Sequence, residues 1–381
     1  MKFSLKLALA LCMLPLCLSI ATVCAQTVDI NSVTSPTANN LNSVCIVNNS
    51  TATANDLSML NAWAVGDGGT IVMWDGSSWS TVNSPTTMNL YSVVFTEAAN
   101  GWAVGGSGDK GVILHYNGTW ALWDQVSFSG EPGLMDSINS TLYGVNMDTD
   151  GQTGWAVGSN GVALMWSGAE NTWYGFTDVS TNTLRSVAMM HGMADAWIVG
   201  DGGTILHWDG AKFNTMTSGT TENLYTIKLL NSTNAVAAGG SGNSGVVLML
   251  SDGMWSKWDV FNFGAGMQST INSIIYSVDF TNATSGWACG SNGLTMYWTG
   301  SEWDCNSNVV SGSLKGISMI HSATTGAIQA WAVGESGAIV AFNGAAWVPE
   351  FSIVTIPLLM SVGLLVAVIG KAKLFKKTTQ K

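Results

Sequence analysis

Charge is sparse in this chain. Only 10% of its 381 residues are Asp, Glu, Lys or Arg, and arginine occurs once, at Arg185. Residues 26–350 carry 24 acidic side chains against 6 basic ones, a net charge near −18. Such a surface repels nucleic acid and other polyanions; it suits cations, or simply solubility. Proline is confined to six positions while glycine reaches 44, a balance that favours many strands joined by tight hairpins. A hydrophobic content of 47% is too high for a disordered chain. The histidines are His115, His191, His207 and His321, and no His/Asp/Ser constellation accompanies them. There is no nucleotide-binding loop, and the acidic loops lack calcium-ligand spacing, so neither a cofactor nor a metal is expected.

What the chain has in abundance is a repeat. G-W-A-V-G, then G-x-G-T-I, then W-D-G and a lone Trp first appear at Ala62–Trp79 and return six more times. The glycine closing W-A-V-G falls at Gly66, Gly105, Gly158, Gly200, Gly239, Gly290 and Gly334. Before each stands an alternating run such as L-Y-S-V-V-F or L-R-S-V-A-M. Each unit thus offers four short period-two segments separated by Gly/Asn/Asp/Ser turns, about the length of one propeller blade. The expected fold is all-β: a seven-bladed β-propeller of four-stranded antiparallel blades over residues 26–348, with strands A to D running outward from the axis. The anchor glycines are spaced 39, 53, 42, 39, 51 and 44 residues apart, so a three-blade cassette occurs twice and a seventh blade follows. Blade 7 meets Pro349 soon after Trp347, and proline cannot donate to a ladder. Residues near Thr27–Val33 are therefore expected to close the ring at that edge.

Tryptophan recurs at fixed places in strands B, C and D, which favours wedge packing between blades over a carbohydrate platform. His115 and His207 share one C-strand slot, again a repeat position. Trp123 and Trp258 are extras at matching places in blades 2 and 5, and are candidates for a surface role. Cys12, Cys17 and Cys24 precede residue 26; Cys45, Cys289 and Cys305 remain, an odd number. Cys289 and Cys305 fall two strands apart, roughly 9–10 Å, so buried thiols are expected rather than a disulfide.

Blades 2 and 5 have the longest D–A connections, residues 126–141 and 261–273. In a propeller these loops share a face with the B–C turns, and long loops on a rigid scaffold are where binding resides. That rim displays Asp67, Asp109, Asp201 and Glu335, which with Trp123 and Trp258 form the candidate ligand-binding set. Six Asn-x-Ser/Thr sequons occur, at Asn48, Asn49, Asn117, Asn139, Asn231 and Asn282. Asn139 alone lies on the insertion rim, so glycans would crowd the opposite face.

The ends read differently. Residues 1–25 have signal-peptide form: Lys2 and Lys6, an apolar run over Leu7–Ile20, and small residues before Gln26. Residues 352–370 are 19 residues without a charge, about 28 Å as a helix and long enough to approach the roughly 30 Å bilayer core. A basic tail at 371–381 follows and is expected to stay cytoplasmic.

The G-W-A-V-G-x-x-G-T-I-L…D-G-x-x-W unit resembles propellers related to photosystem II assembly factors and to Asp-box (BNR, sialidase-like) repeat proteins. The likeness implies the fold over about residues 27–348. It carries no sialidase activity here, because those enzymes hold their substrate carboxylate with an arginine cluster and this chain has Arg185 alone. Pro349, Glu350 and Phe351, with the apolar span and basic tail, resemble the PEF-type sorting signal of methanogenic archaea. That resemblance implies cleavage near residues 349–351 by an archaeosortase, a membrane cysteine transpeptidase; the alternative is a plain retained anchor. The favoured expectation is a cell-surface, non-enzymatic propeller that binds envelope glycans, proteins or neighbouring cells. The alternatives are a polysaccharide lyase or glycosidase with carboxylates on the rim, and an extracytoplasmic assembly chaperone.

Overall fold

The structure, a computed structural model, describes residues 28–47, 61–130, 137–190, 195–264, 267–321 and 328–344. Among them there are seven sheets, each built on four antiparallel strands, and no α-helix. The expected signal peptide, the sorting motif, the span 352–370 and the basic tail lie outside the described residues, as do Asn48 and Asn49. No helix among the described residues is long and apolar enough to cross a membrane.

Blades 1 to 6 run A-B-C-D in chain order, and every A strand neighbours the next around a ring that returns from blade 7 to blade 1. Blade 2 is representative: A is Asn89–Glu97, B is Asn100–Ser107, C is Lys110–Tyr116 and D is Trp120–Leu122. The repeat glycines are demanded by close approach. A Cβ at Gly105 would lie 1.9 Å from the Asn89 carbonyl oxygen, and one at Gly239 1.8 Å from that of Asn223. Each glycine faces a fully buried Leu or Ile that opens the A strand, from Leu41↔Gly66 to Leu314↔Gly334. One residue later the register slips in all seven blades, from Leu41 to Ser43 in blade 1 and from Leu184 to Ser186 in blade 4. This bulge sets the geometry of the axis.

The hydrophobic core is divided into seven clusters, each drawn from two adjacent blades. At five of the seven seams a B-strand Trp meets, edge-on, the aromatic ring that opens strand D of the next blade. Trp331–Trp79, Trp63–Trp120 and Trp102–Trp173 cross at 89°, 80° and 84° with centroids 5.3–5.7 Å apart. The favourable edge-to-face quadrupole contact, repeated at the seams, holds neighbouring blades together.

The ring closes as expected. Val28–Ser32 pairs antiparallel with Ile339–Gly344 and forms the outer strand of blade 7. The two long D–A connections are not loops throughout. Val126–Ser127 pairs parallel with Thr172–Phe176 of blade 3, and Phe261–Asn262 pairs parallel with Trp303–Asn306 of blade 6. Val126 and Phe261 are buried there against Trp173 and Trp303, covering outer edges that would otherwise be open. The same addition in both halves extends the cassette duplication into three dimensions. Cys45, Cys289 and Cys305 are free thiols, the last two buried.

Trp123 and Trp258 are at the seams, not on an open rim. Trp123 packs on Trp102 and Trp166, and its Nε1–H donates to the Gln125 carbonyl at 3.2 Å. Trp258 lies 4.1 Å from Trp298 and edge-on to Trp303. Blade 5 has Val236 where other blades carry the B-strand Trp, and Trp258 supplies the ring that Trp303 would otherwise lack from blade 5.

Candidate functional site

The bulged residue of each A strand lines the axis. In blade order these are Asn42, Tyr91, Tyr143, Arg185, Tyr225, Tyr276 and Lys315, all half-buried around one cavity of about 110 Å³. A regular strand alternates its side chains between the two blade faces; the extra residue breaks that alternation and re-aims one side chain per blade. The chain's single arginine thus stands at its axis, among four of its seven tyrosines.

Arg185 is held on three sides. Its guanidinium carbon sits 5.5 Å from the Tyr143 centroid and 4.8 Å from that of Tyr225. Its Nη2 donates to Asp201 Oδ2 at 3.0 Å and its Nε to Asp201 Oδ1. Burial opposes its charge, but the Asp201 hydrogen bonds and charge outweigh that and raise its pKa. Tyr91 packs on Tyr143 at 5.0 Å and Tyr225 on Tyr276 at 5.3 Å. Burial pushes the Tyr143 and Tyr276 phenols upward, so both remain protonated donors at neutral pH. Lys315 forms no hydrogen bond or ion pair among the described residues.

Beneath the basin lies a belt of hydroxyls that ties A strand to A strand. Ser43, Ser92, Ser186, Thr226 and Ser277 each accept the N–H of Val93, Val145, Ile227, Val278 and Ile317 in the following blade, at 3.2–3.4 Å. Blades 3 and 7 have Gly144 and Gly316 at this place. A Cβ there would come within 2.8 Å of the Arg185 carbonyl oxygen or the Ser43 Cα. Deeper still, Lys228 Nζ pairs with Asp279 Oδ1 at 2.7 Å, and Asp279 Oδ2 accepts the Met319 N–H at 2.9 Å. The Asp279 charge outweighs burial and raises the Lys228 pKa. Burial pushes the Cys45 thiol up to about 11, so it is not a nucleophile at neutral pH.

The rim acids are mostly engaged by the fold. Asp67 accepts from the Nδ2 atoms of Asn40 and Asn42 at 2.9 Å each, Asp201 holds Arg185, and Glu335 accepts the Ser313 N–H at 3.0 Å. Ser159 and Ser291 do the same for Thr141 and Ile274 in blades 3 and 6. These residues open the three-residue turn between B and C and clamp the start of their own A strand. Asp109 stands exposed at a hairpin tip. Asn117, Asn139, Asn231 and Asn282 are exposed, but the Thr141 hydroxyl of the Asn139 sequon is buried and donates to the Gly108 carbonyl at 2.7 Å. In the Asn231 and Asn282 sequons the threonine hydroxyl donates to the asparagine Oδ1, at 3.0 and 2.9 Å.

Two further recesses open on the same face as the basin. A groove of about 850 Å³ runs between blades 4 and 5, lined by residues 217–222, the turn at 243–246 and the insertion at 269–272. A smaller recess between blades 2 and 3, about 290 Å³, includes Phe128, Asn139 and Asp178. Loop length alone pointed to this face. The axial ring was missed, although its signal is plain in retrospect: Tyr, Arg or Lys follows the first Leu or Ile in six of the seven A strands.

No family model matches the chain, and no curated protein matches it. Solved propellers do. The structure of YCF48 bound to a D1 peptide is 14% identical, with a TM-score of 0.57 over 84% of this chain and 97% of that one. YCF48 from Cyanidioschyzon merolae is 16% identical, with a TM-score of 0.57 over 84% and 98%. The WD40 propeller domain of Doa1 is 13% identical, with a TM-score of 0.58 over 82% and 95%. At these identities the likeness is one of fold.

Proposed function

We propose that this chain is a non-enzymatic binding propeller, displayed outside the membrane, that holds a polypeptide against the face made by its B–C and D–A loops. One observation carries the reading: the axial basin, the blade 4/5 groove and the blade 2/3 recess all open on that face. The basin offers hydrogen bonds and positive charge, and pairs no nucleophile with a base among the described residues. A polypeptide is favoured over an envelope glycan because a propeller of this fold, YCF48, has been seen with a peptide bound, and because the basin's tyrosine faces are turned to one another and to Arg185 rather than left open for a sugar. Glycans on Asn117, Asn231 and Asn282 would occupy the A–B and C–D loops and leave this face clear. Display at the surface rests on the sequence: a signal peptide, a span at 352–370 and the Pro349-Glu350-Phe351 motif for an archaeosortase-type enzyme.

Met267 and Met254 are both exposed and lie on opposite faces of blade 5, in the D–A insertion and the C–D turn. A photo-crosslinking amino acid at Met267 is expected to capture a defined polypeptide in the native cell, and one at Met254 is not. Capture at Met254 alone moves the site to the other face. The intact mass of the native protein tests the sorting step: it should end near residues 348–352, and a main species retaining Lys371–Lys381 restores the plain anchor.

A further inference from the structure

The axial basin differs from the two grooves in being lined by every blade and in what its side chains have left to offer. A cation has no place in it, since the faces of Tyr143 and Tyr225 already hold the Arg185 guanidinium. Asp201 takes the Nε–Nη2 edge of that group, and Asp67 and Glu335 are bonded within their own blades. What remains is a set of donors: the hydroxyls of Tyr143, Tyr225 and Tyr276 and the Lys315 ammonium, none of them partnered among the described residues. Lys315 is also the one basin cation with no carboxylate against it, so the charge to be matched is a single negative one. Size narrows the choice further. At about 110 Å³ the cavity is well below the roughly 300 Å³ of a small ligand pocket, so it admits one small group and not a whole ligand.

We infer that the basin is a socket for one carboxylate carried by a polypeptide, held by Lys315 as counter-ion, by the phenols of Tyr143, Tyr225 and Tyr276, and by the free edge of Arg185. This rests on the reading above that the face holds a polypeptide. A dianionic phosphate suits the socket less well, because Asp201 already neutralises Arg185 and Asp67 and Glu335 stand on the surrounding turns. A sugar ring exceeds the space. The carboxylate reaches the socket either as a chain terminus or as an Asp or Glu side chain, and the chemistry of capture is the same.

The test uses the full-length protein in detergent, labelled at tyrosine Cζ, with the basin signals assigned by Tyr→Phe substitution. N-acetylglycine is expected to shift the Tyr143, Tyr225 and Tyr276 signals with a Kd of about 1 mM, as befits a very small ligand, while N-acetylglycinamide leaves them in place. Lys315→Met should weaken binding about tenfold or more, and Lys315→Arg should retain it. A tetraglycine with a free terminus and an amidated peptide with one internal Glu separate the two sources, and binding of either supports the socket. Equal shifts with the amide, tighter binding of inorganic phosphate, indifference to Lys315→Met, or no shift up to about 100 mM each overturn it. N-acetylglycine binding without either peptide overturns the polypeptide source and the reading beneath it. Peptide binding that ignores both Lys315 and carboxylate blocking overturns the socket and leaves that reading standing.

Discussion

At the scale of single residues, the tryptophans show how a repeat can mislead and inform at once. Trp123 and Trp258 occupy matching places because the cassette was duplicated, and their absence from other blades suggested a task outside the fold. Their backbones continue the D strand past its last paired residue: the Trp123 N–H bonds the Ile113 carbonyl and the Trp258 N–H that of Val247, both at 2.9 Å. Alternation then turns both rings toward the next blade. Trp258 is the more consequential, since Val236 leaves its seam without a B-strand indole while Trp102 still fills that of Trp123. Trp258→Ala should destabilise the propeller by about 3–5 kcal/mol and Trp123→Ala by less, measured by denaturant unfolding of the two variants side by side. Equal losses would mean that Trp258 does not replace the missing ring. The packing role of the other indoles was legible from recurrence alone; these two were not, because they stand in two blades only.

At the scale of elements, strands were easier to read than slips between them. Period-two patterning gave four short strands per blade, and a proline after blade 7 pointed to residues near Thr27–Val33, within which Val28–Ser32 forms the closing strand. The bulge escaped because L-Y-S-V reads as smooth alternation; only the paired register reveals the extra residue, and with it the ring of axial side chains. The two-residue strands at Val126 and Phe261 escaped because two residues have no period. The closing strand carries the element-scale prediction. It pairs along its full length from Val28↔Gly344 to Ser32↔Val340, and Ile30 packs on the blade 6/7 cluster. Deleting residues 28–32 should lower the melting temperature by about 10 °C or more, given that a domain of this size loses a few degrees per kcal/mol. An unchanged transition in the truncated protein would remove the strand from any part in stability.

At the scale of the whole molecule, seven blades are not seven equal sectors. The hydroxyl belt is interrupted at Gly144 and Gly316, the seams from blade 3 to blade 4 and from blade 7 back to blade 1, where A strands approach too closely for any Cβ. The first falls where one cassette gives way to the next, the second where the seventh blade meets the first. Gly144→Ser should therefore destabilise by about 1–3 kcal/mol, although serine stands at that place in blades 1, 2, 4 and 6. Thermal unfolding checks this, and a neutral or stabilising outcome would show that the seam can relax. Blade number was legible because each anchor glycine is fixed by contacts inside its own blade. The axial site was not, because no blade contains it.

The closing strand also orders events in time. Val28 is among the first described residues to be made, yet its partner Gly344 arrives more than three hundred residues later. The early strand must wait unpaired while six complete blades form, and until the last ladder is zipped the growing arc has an exposed edge at each end. Because loop closure over so long a separation is slow, completion of the circle should limit the rate of folding, and a newly made chain is most prone to capture by its neighbours in that interval.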